Sequence, residues 1–306
     1  MQGLQYNIDE IITQSMMTKT PYVIVEGVDD IGLYDQVLNS NNKISEVIAI
    51  ETVEGYTKGS EQVIKAADYI KNKDSTNHNY ADYVLGIIDK DVRDFRSELP
   101  QNTLILPLTV YSIESHFVNK EVLDYLLRNC TKGNTGLFTD LLKDKLMDSV
   151  TSSMELLYLA SLEALKGALI KDYSSEFGYC QRYGRLHDKQ LRSKLLDKKE
   201  ELEDFASTLS LTNTMQTLKR ISKGKWLLSV FCEELEKSIQ NLPAECGIAP
   251  VTSCQMCISQ AENSCLYRLL EGINHKSMRS IAQRASSNSE LGYIRSRVDS
   301  MYSKVA

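Results

Sequence analysis

The sequence predicts an α/β fold, with a mainly parallel, Rossmann-like sheet in the N-terminal part and a mostly α-helical C-terminal half. Three features predict it. Short apolar runs recur through the first 110 residues, stretches of helical periodicity separate them, and beyond about residue 112 the periodicity is helical throughout.

Tyr22-Val23-Ile24-Val25 is the first run, and Ile31–Leu38 follows it with helical spacing. Val47-Ile48-Ala49-Ile50 is the second, trailed by Ser60–Lys71 with apolar residues at Val63, Ile64, Ala67 and Ile70. Tyr83–Ile88 and Thr103–Leu106 complete the set. Apolar runs that do not alternate with polar residues indicate strands buried on both faces, joined by crossover helices. Helical spacing then occupies residues 120–129, 136–149, 153–171, 188–207, 213–221 and 224–241. Residues 172–187 and 242–264, rich in Ser, Gly, Cys and Pro, read as connectors, and the last 40 residues as two amphipathic helices. The expected organisation is a catalytic domain over 1–118, a helical domain over 119–241, and a Cys-containing connector with basic helices over 242–306.

Composition excludes several classes. The chain is 42% hydrophobic and 25% charged, which suits a globular protein. Its net charge is −6, so it lacks the overall basic balance that marks many nucleic-acid binders. A polyanionic substrate therefore needs a local basic patch and metal ions. The most apolar stretch, Leu156–Ile170, is interrupted by Glu163 and Lys166 and is too short to span a bilayer, so no membrane partner is expected. Met1–Glu10 has neither a basic region nor an apolar segment, unlike a signal peptide. Seven cysteines, an odd number, favour reduced thiols and a cytoplasmic location.

Acidic residues follow two of the runs. The first leads into Glu26-Gly27-Val28-Asp29-Asp30, the third into Asp89-Lys90-Asp91. In open parallel sheets the ligand site lies at the carboxyl ends of the strands. Gly27 allows a tight turn there, and Asp89 and Asp91 share a face if the strand continues through them. Converging carboxylates call for a hard cation such as Mg²⁺ (or Mn²⁺). Asp29 or Asp30 can equally be simple helix caps. Lys90, between the aspartates, points to the opposite face of an extended chain.

Val25-Glu26-Gly27 and Ile88-Asp89-Lys90-Asp91 resemble the hallmark of the TOPRIM domain, a Glu-Gly after the first strand and an Asp-x-Asp after a later one. The extension to Asp30 looks like the OLD-like TOPRIM nucleases. Tyr111-Ser112-Ile113-Glu114-Ser115-His116-Phe117, and Gly224-Lys225 within Ile221–Leu228, resemble segments of the TOPRIM effectors that accompany ABC-type ATPases in PARIS-type anti-phage systems. The resemblance reaches to about residue 235. It implies a Mg²⁺-dependent endonuclease with Glu26, Asp89 and Asp91 as catalytic residues, Glu26 as general acid/base, and a metal set of Glu26, Asp89 and Asp91 with Asp30 in support. It also implies an ABC-type ATPase partner that holds the effector inactive, a phage protein as trigger, host RNA (tRNA expected) as substrate, and a homodimer as a candidate active form. Glu114 can complete the metal set or complement a helix dipole. His116 reads more readily as a packing residue than a catalytic one. Lys225 can contact phosphate in catalysis or begin a solvated helix.

Cys246, Cys254, Cys257 and Cys265 fall within twenty residues around a C-x₂-C knuckle. Four thiolates at that spacing can hold a structural zinc (Zn²⁺), though only one knuckle is present, and ordinary buried cysteines account for them as well. Arg268, His275, Lys276, Arg279, Arg284, Arg295, Arg297 and Lys304 make the C-terminal region basic, and Arg182–Lys199 is a second basic stretch. Each is a candidate RNA contact or a solvated helix face.

Overall fold

A computed structural model describes residues 6–39, 44–73 and 79–305, apart from the side chains of residues 303 and 305. Residues 1–5 of the amino-terminal segment lie outside the described residues. The chain forms two compact units, Met1–Thr109 with Ser286–Ala306, and Val110–Ala285.

The first unit opens with α1 (Ile8–Thr18), started by a capping box between Asn7 and Glu10. Then follow β1 (Tyr22–Val25), α2 (Val28–Leu38), β2 (Glu46–Ala49), α3 (Ser60–Lys71), β3 (Val84–Ile88) and β4 (Ile105–Pro107). All strand pairs are parallel, in the order β2-β1-β3-β4. Every residue of β1 and β3 is buried, as their unbroken apolar sequences require. Ile8, Ile11 and Ile12 of α1 and Val63, Ala66, Ala67 and Ile70 of α3 join the same core as Ile24, Ile48 and Ile88. Full burial of each large aliphatic side chain contributes about 1.5–3 kcal/mol. The chain leaves β1 to build β2 on one side, then crosses to build β3 on the other. The strand order thus reverses between β1 and β3, and their carboxyl ends bound a crevice.

The second unit is helical: α4 (Lys120–Cys130), α5 (Asp140–Ser152), α6 (Glu155–Leu169), α7 (Lys189–Asp197), α8 (Lys199–Thr208), α9 (Met215–Ile221), α10 (Gly224–Glu245), α11 (Gln255–Ile258) and α12 (His275–Ala282). The periodic stretch 188–207 is two helices, broken at Lys198, whose ammonium reaches the buried Glu163 at 3.1 Å. Glu163, the acid that interrupts the most apolar run, also accepts from the Tyr173 hydroxyl at 2.6 Å and the Glu176 amide at 2.7 Å. It is saturated, and α6 is a core helix. Among the described residues no helix is long and apolar enough to cross a membrane. Trp226, the one tryptophan, is buried against Phe177 and stacked on Tyr179.

The last helix, α13 (Gly292–Val305), returns to the first unit. The compact units therefore divide near residue 109 and again near 285, where the sequence pattern suggested 118 and 241. Arg297 donates to the Ala81 carbonyl at 3.0 Å and Lys304 pairs with Asp82 at 2.9 Å. Arg295 donates to the carbonyls of Ser286 and Asn288. These three cations of the basic C-terminus are thus engaged within the unit. In the other basic stretch, Lys194 pairs with Glu176 at 2.8 Å and Lys199 with Glu155 at 2.5 Å.

Candidate functional site

Glu26 leaves the end of β1 and Asp89 the end of β3, one on each side of the crevice. The Asp89 amide donates to Glu26 Oε1 at 2.8 Å, which joins the two strand ends directly. The Glu26 carbonyl accepts from the Gly59 amide at 3.0 Å, fixing the backbone from the α3 side.

The Glu26 carboxyl is pushed up to about 7 from 4.5. Burial is the main cause; the Asp89 amide opposes it, Asp91 and Asp30 add to it, and Arg93 pulls it back. The negative charges of Asp91 and Asp30 therefore reach Glu26. Tyr34 of α2 is buried, and burial followed by Asp89, Asp30 and Glu26 among its neighbours raises its hydroxyl well above the usual range. Tyr293 of α13 also feels Asp89, while its hydroxyl accepts from the Thr109 amide at 3.1 Å. Glu26, Asp30, Asp89 and Asp91 thus form one electrostatic cluster.

Two local expectations are corrected. Asp89 and Asp91 do not share the face of an extended chain: β3 ends at Ile88, and Asp91 is left-handed with φ of 49°. Aspartate tolerates that conformation, which costs about 1 kcal/mol or more. It turns the chain so that the charge of Asp91 reaches Glu26 from a loop. Gly27 makes no tight turn either. It is extended, at φ −161° and ψ 163°, and heads α2, with only the flexible end of Lys58 near where a Cβ would lie. Asp29 and Asp30 lie within the first turn of α2, where the dipole favours anions. Asp29 pairs with Lys58 at 3.3 Å, whereas the carboxylate on the first amide of α2, at Val28, comes from Glu51 at 2.9 Å.

Glu51, Tyr34, Tyr293 and Arg93 belong to the site beside the acids that the sequence pattern marks. Arg93 donates to Ser60 Oγ and Glu61 Oε1, both at 2.8 Å, and its buried Nε has no partner among the described residues. Asp89-x-Asp91-x-Arg93 was the available signal. Lys90 pairs with Asp94 at 2.7 Å.

Glu114 and Lys225 belong to the second unit, where the two distant motifs meet. Glu114 is buried and accepts from Ser112 Oγ at 2.7 Å, and Lys225 Nζ stands 3.9 Å from its other oxygen. Gly224 makes this possible: a Cβ there would overlap the Ser112 hydroxyl and come within 3.1 Å of Glu114 Oε2 and the Ser115 amide. Glu114 lies in the first turn of its own short 3₁₀ helix, Ile113–Phe117, and beside Gly224 at the start of α10. His116 is buried, its Nδ1 3.2 Å from the Ile113 carbonyl, and burial pushes its imidazole down to about 4. It is a packing residue, neutral at physiological pH.

The same unit brings Cys246, Cys254, Cys257 and Cys265 together, with all four sulfurs within 4.8 Å of one another. Among the described residues no other group of three or more His, Cys, Asp or Glu side chains converges in this way. The carboxylates stand further apart, as like charges do. No protein-family model matches the chain, and no curated protein matches its sequence.

Proposed function

We propose that this protein is a metal-dependent nuclease of TOPRIM type, with its phosphodiesterase site in the crevice between β1 and β3. One observation carries the reading: a carboxyl group raised to about 7, tied to the Asp89 amide, amid the charges of Asp91 and Asp30. A group that titrates near the working pH suits general acid–base catalysis, and strongly shifted carboxyls concentrate at functional sites.

In this reading Glu26 takes or gives the proton. The Asp89 amide fixes one of its oxygens, so the carboxyl is oriented before substrate arrives. Burial at the strand end keeps the carboxyl desolvated. Asp89, Asp91 and Asp30 would hold Mg²⁺ or Mn²⁺, which when bound polarises a phosphate oxygen and activates water. Lys225 and Glu114 enter only through the family resemblance, as a phosphate contact and a further acid.

The finer assignment also rests on that resemblance, which extends to AriB, the TOPRIM effector of the PARIS anti-phage system. It makes the chain a toxic effector, restrained by an ABC-type ATPase until a phage protein is sensed, that cleaves host RNA, with tRNA as the favoured class.

The test is cleavage of tRNA and duplex DNA by the purified chain with Mg²⁺ or Mn²⁺, beside Glu26→Gln. Metal-dependent tRNA cuts that vanish in the variant support the proposal. Cleavage of DNA alone moves it to an OLD-type DNA nuclease. No cleavage of either sinks it in favour of a regulatory subunit of the ATPase.

A further inference from the structure

The thiol cluster lies where α10 gives way to the segment leading into α12. Cys246 caps the C-terminus of α10, Cys254 is the N-cap of α11, Cys257 lies within α11, and Cys265 follows a short 3₁₀ turn. None of the four is in a disulfide. The Sγ atoms of Cys254 and Cys265 are 3.8 Å apart. Sulfurs at the corners of a tetrahedron centred on zinc, with Zn–S near 2.3 Å, are separated by about 3.8 Å.

The backbone around the cluster is arranged for thiolates. The Cys254 amide donates to Cys246 Sγ at 3.2 Å and the Leu266 amide to Cys254 Sγ at 3.4 Å. A neutral thiol is a poor acceptor, so amides aimed at sulfur are well used only if the sulfur is charged. Four thiolates cannot share so small a volume without a cation between them. Cys254 and Cys265 are fully buried, and Cys246 and Cys257 partly so. Four protein ligands with no open position describe a structural centre, not a catalytic one.

The segment that the cluster gathers has much to hold together. Leu269 bridges Thr131, the Leu270 amide donates to the Cys130 carbonyl at 2.8 Å, and the Tyr267 hydroxyl lies 2.9 Å from the Thr252 carbonyl. Outside the cluster it has little regular structure: α11 spans four residues.

We propose that Cys246, Cys254, Cys257 and Cys265 bind one zinc ion that staples the segment after α10. Binding exchanges thiol protons for metal, so up to four protons are released as the four Zn–S bonds form. The site is independent of the acidic crevice and of any nuclease activity.

The experiment is metal analysis of the full chain purified without added metal or chelator. The expected result is about one zinc per chain, with Cys254→Ser and Cys265→Ser losing it and the exposed Cys180→Ser keeping it. Because a serine variant can fail to fold, the wild-type chain is also exchanged with Co²⁺, where the visible spectrum of a tetrahedral tetrathiolate is expected. Metal removal should lower the melting temperature by about 10 °C or more. A purified folded chain with under about 0.1 equivalent of zinc, and no tetrathiolate spectrum with Co²⁺, would overturn the proposal. So would equal metal retention in folded Cys254→Ser and Cys265→Ser.

Discussion

The acidic crevice and the thiol cluster treat the same electrostatic problem in opposite ways. In the first unit, carboxylates approach but stay apart, and burial and mutual repulsion hold Glu26 near neutrality. In the second, four sulfurs draw to within 4.8 Å, with amides turned toward them. On the proposed reading, hard oxygen ligands that keep their distance would leave room for water and a substrate phosphate, whereas soft ligands that converge fill the coordination sphere. The contrast teaches that converging soft ligands and mutually repelling carboxyls leave different marks: compact geometry in one case, a raised carboxyl pKa in the other.

The comparison can be broken most sharply at Glu26. Glu26→Gln should lower metal-dependent cleavage about 10³-fold while leaving zinc content unchanged. Loss of zinc in this variant would show that the two regions are not independent.

Acid titration should separate the units next. Glu26 rises from 4.5 in the unfolded chain to about 7 when folded, so the folded state binds the proton more tightly. Its contribution is full below pH 4.5 and is lost as pH rises through 7, up to about 3 kcal/mol. His116 has the reverse sign. Depressed from 6.5 to about 4, it contributes above pH 6.5 and loses that contribution as pH falls through 4. Urea unfolding without added Mg²⁺ should show the first slope vanish in Glu26→Gln and the second in His116→Asn, each without the other. A shared loss would end the distinction.

Within the second unit, Gly224→Ala should cost about 1–3 kcal/mol, because its Cβ meets Ser112 and Glu114, and thermal melting would report it. Lys225→Ala is the mildest change. Its side chain is 65% exposed and 3.9 Å from Glu114, so stability should change by under about 0.5 kcal/mol. A rise in KM for RNA, with kcat kept, would identify Lys225 as a phosphate contact.

Much of the first unit was legible in the sequence. The run Tyr22–Val25 is β1 residue for residue, because a strand buried on both faces has no polar positions to blur it. Glu26 and Asp89 followed from their places after such runs. The rest was hidden by tertiary effects. Nothing local distinguishes residues 110–118 from the preceding unit, or 286–306 from the preceding helices, since each assignment depends on which distant surface covers them. The left-handed turn at Asp91 is invisible to a period-two argument, and Tyr34 and Arg93 join the crevice through packing. The cysteines were visible as a spacing, but their convergence depends on the path from α10 to α12.

One feature of chain order bears on timing. The first unit is discontinuous: roughly 175 residues separate Thr109 from its continuation at Ser286. At a ribosomal pace of 5–20 residues per second, the N-terminal sheet waits about 10–35 s for α13. Tyr293, on that helix, is the residue that accepts the Thr109 amide and faces the charge of Asp89. The crevice therefore gains the α13 side only after the whole helical unit has been made, and a nascent chain holds an unfinished site until then.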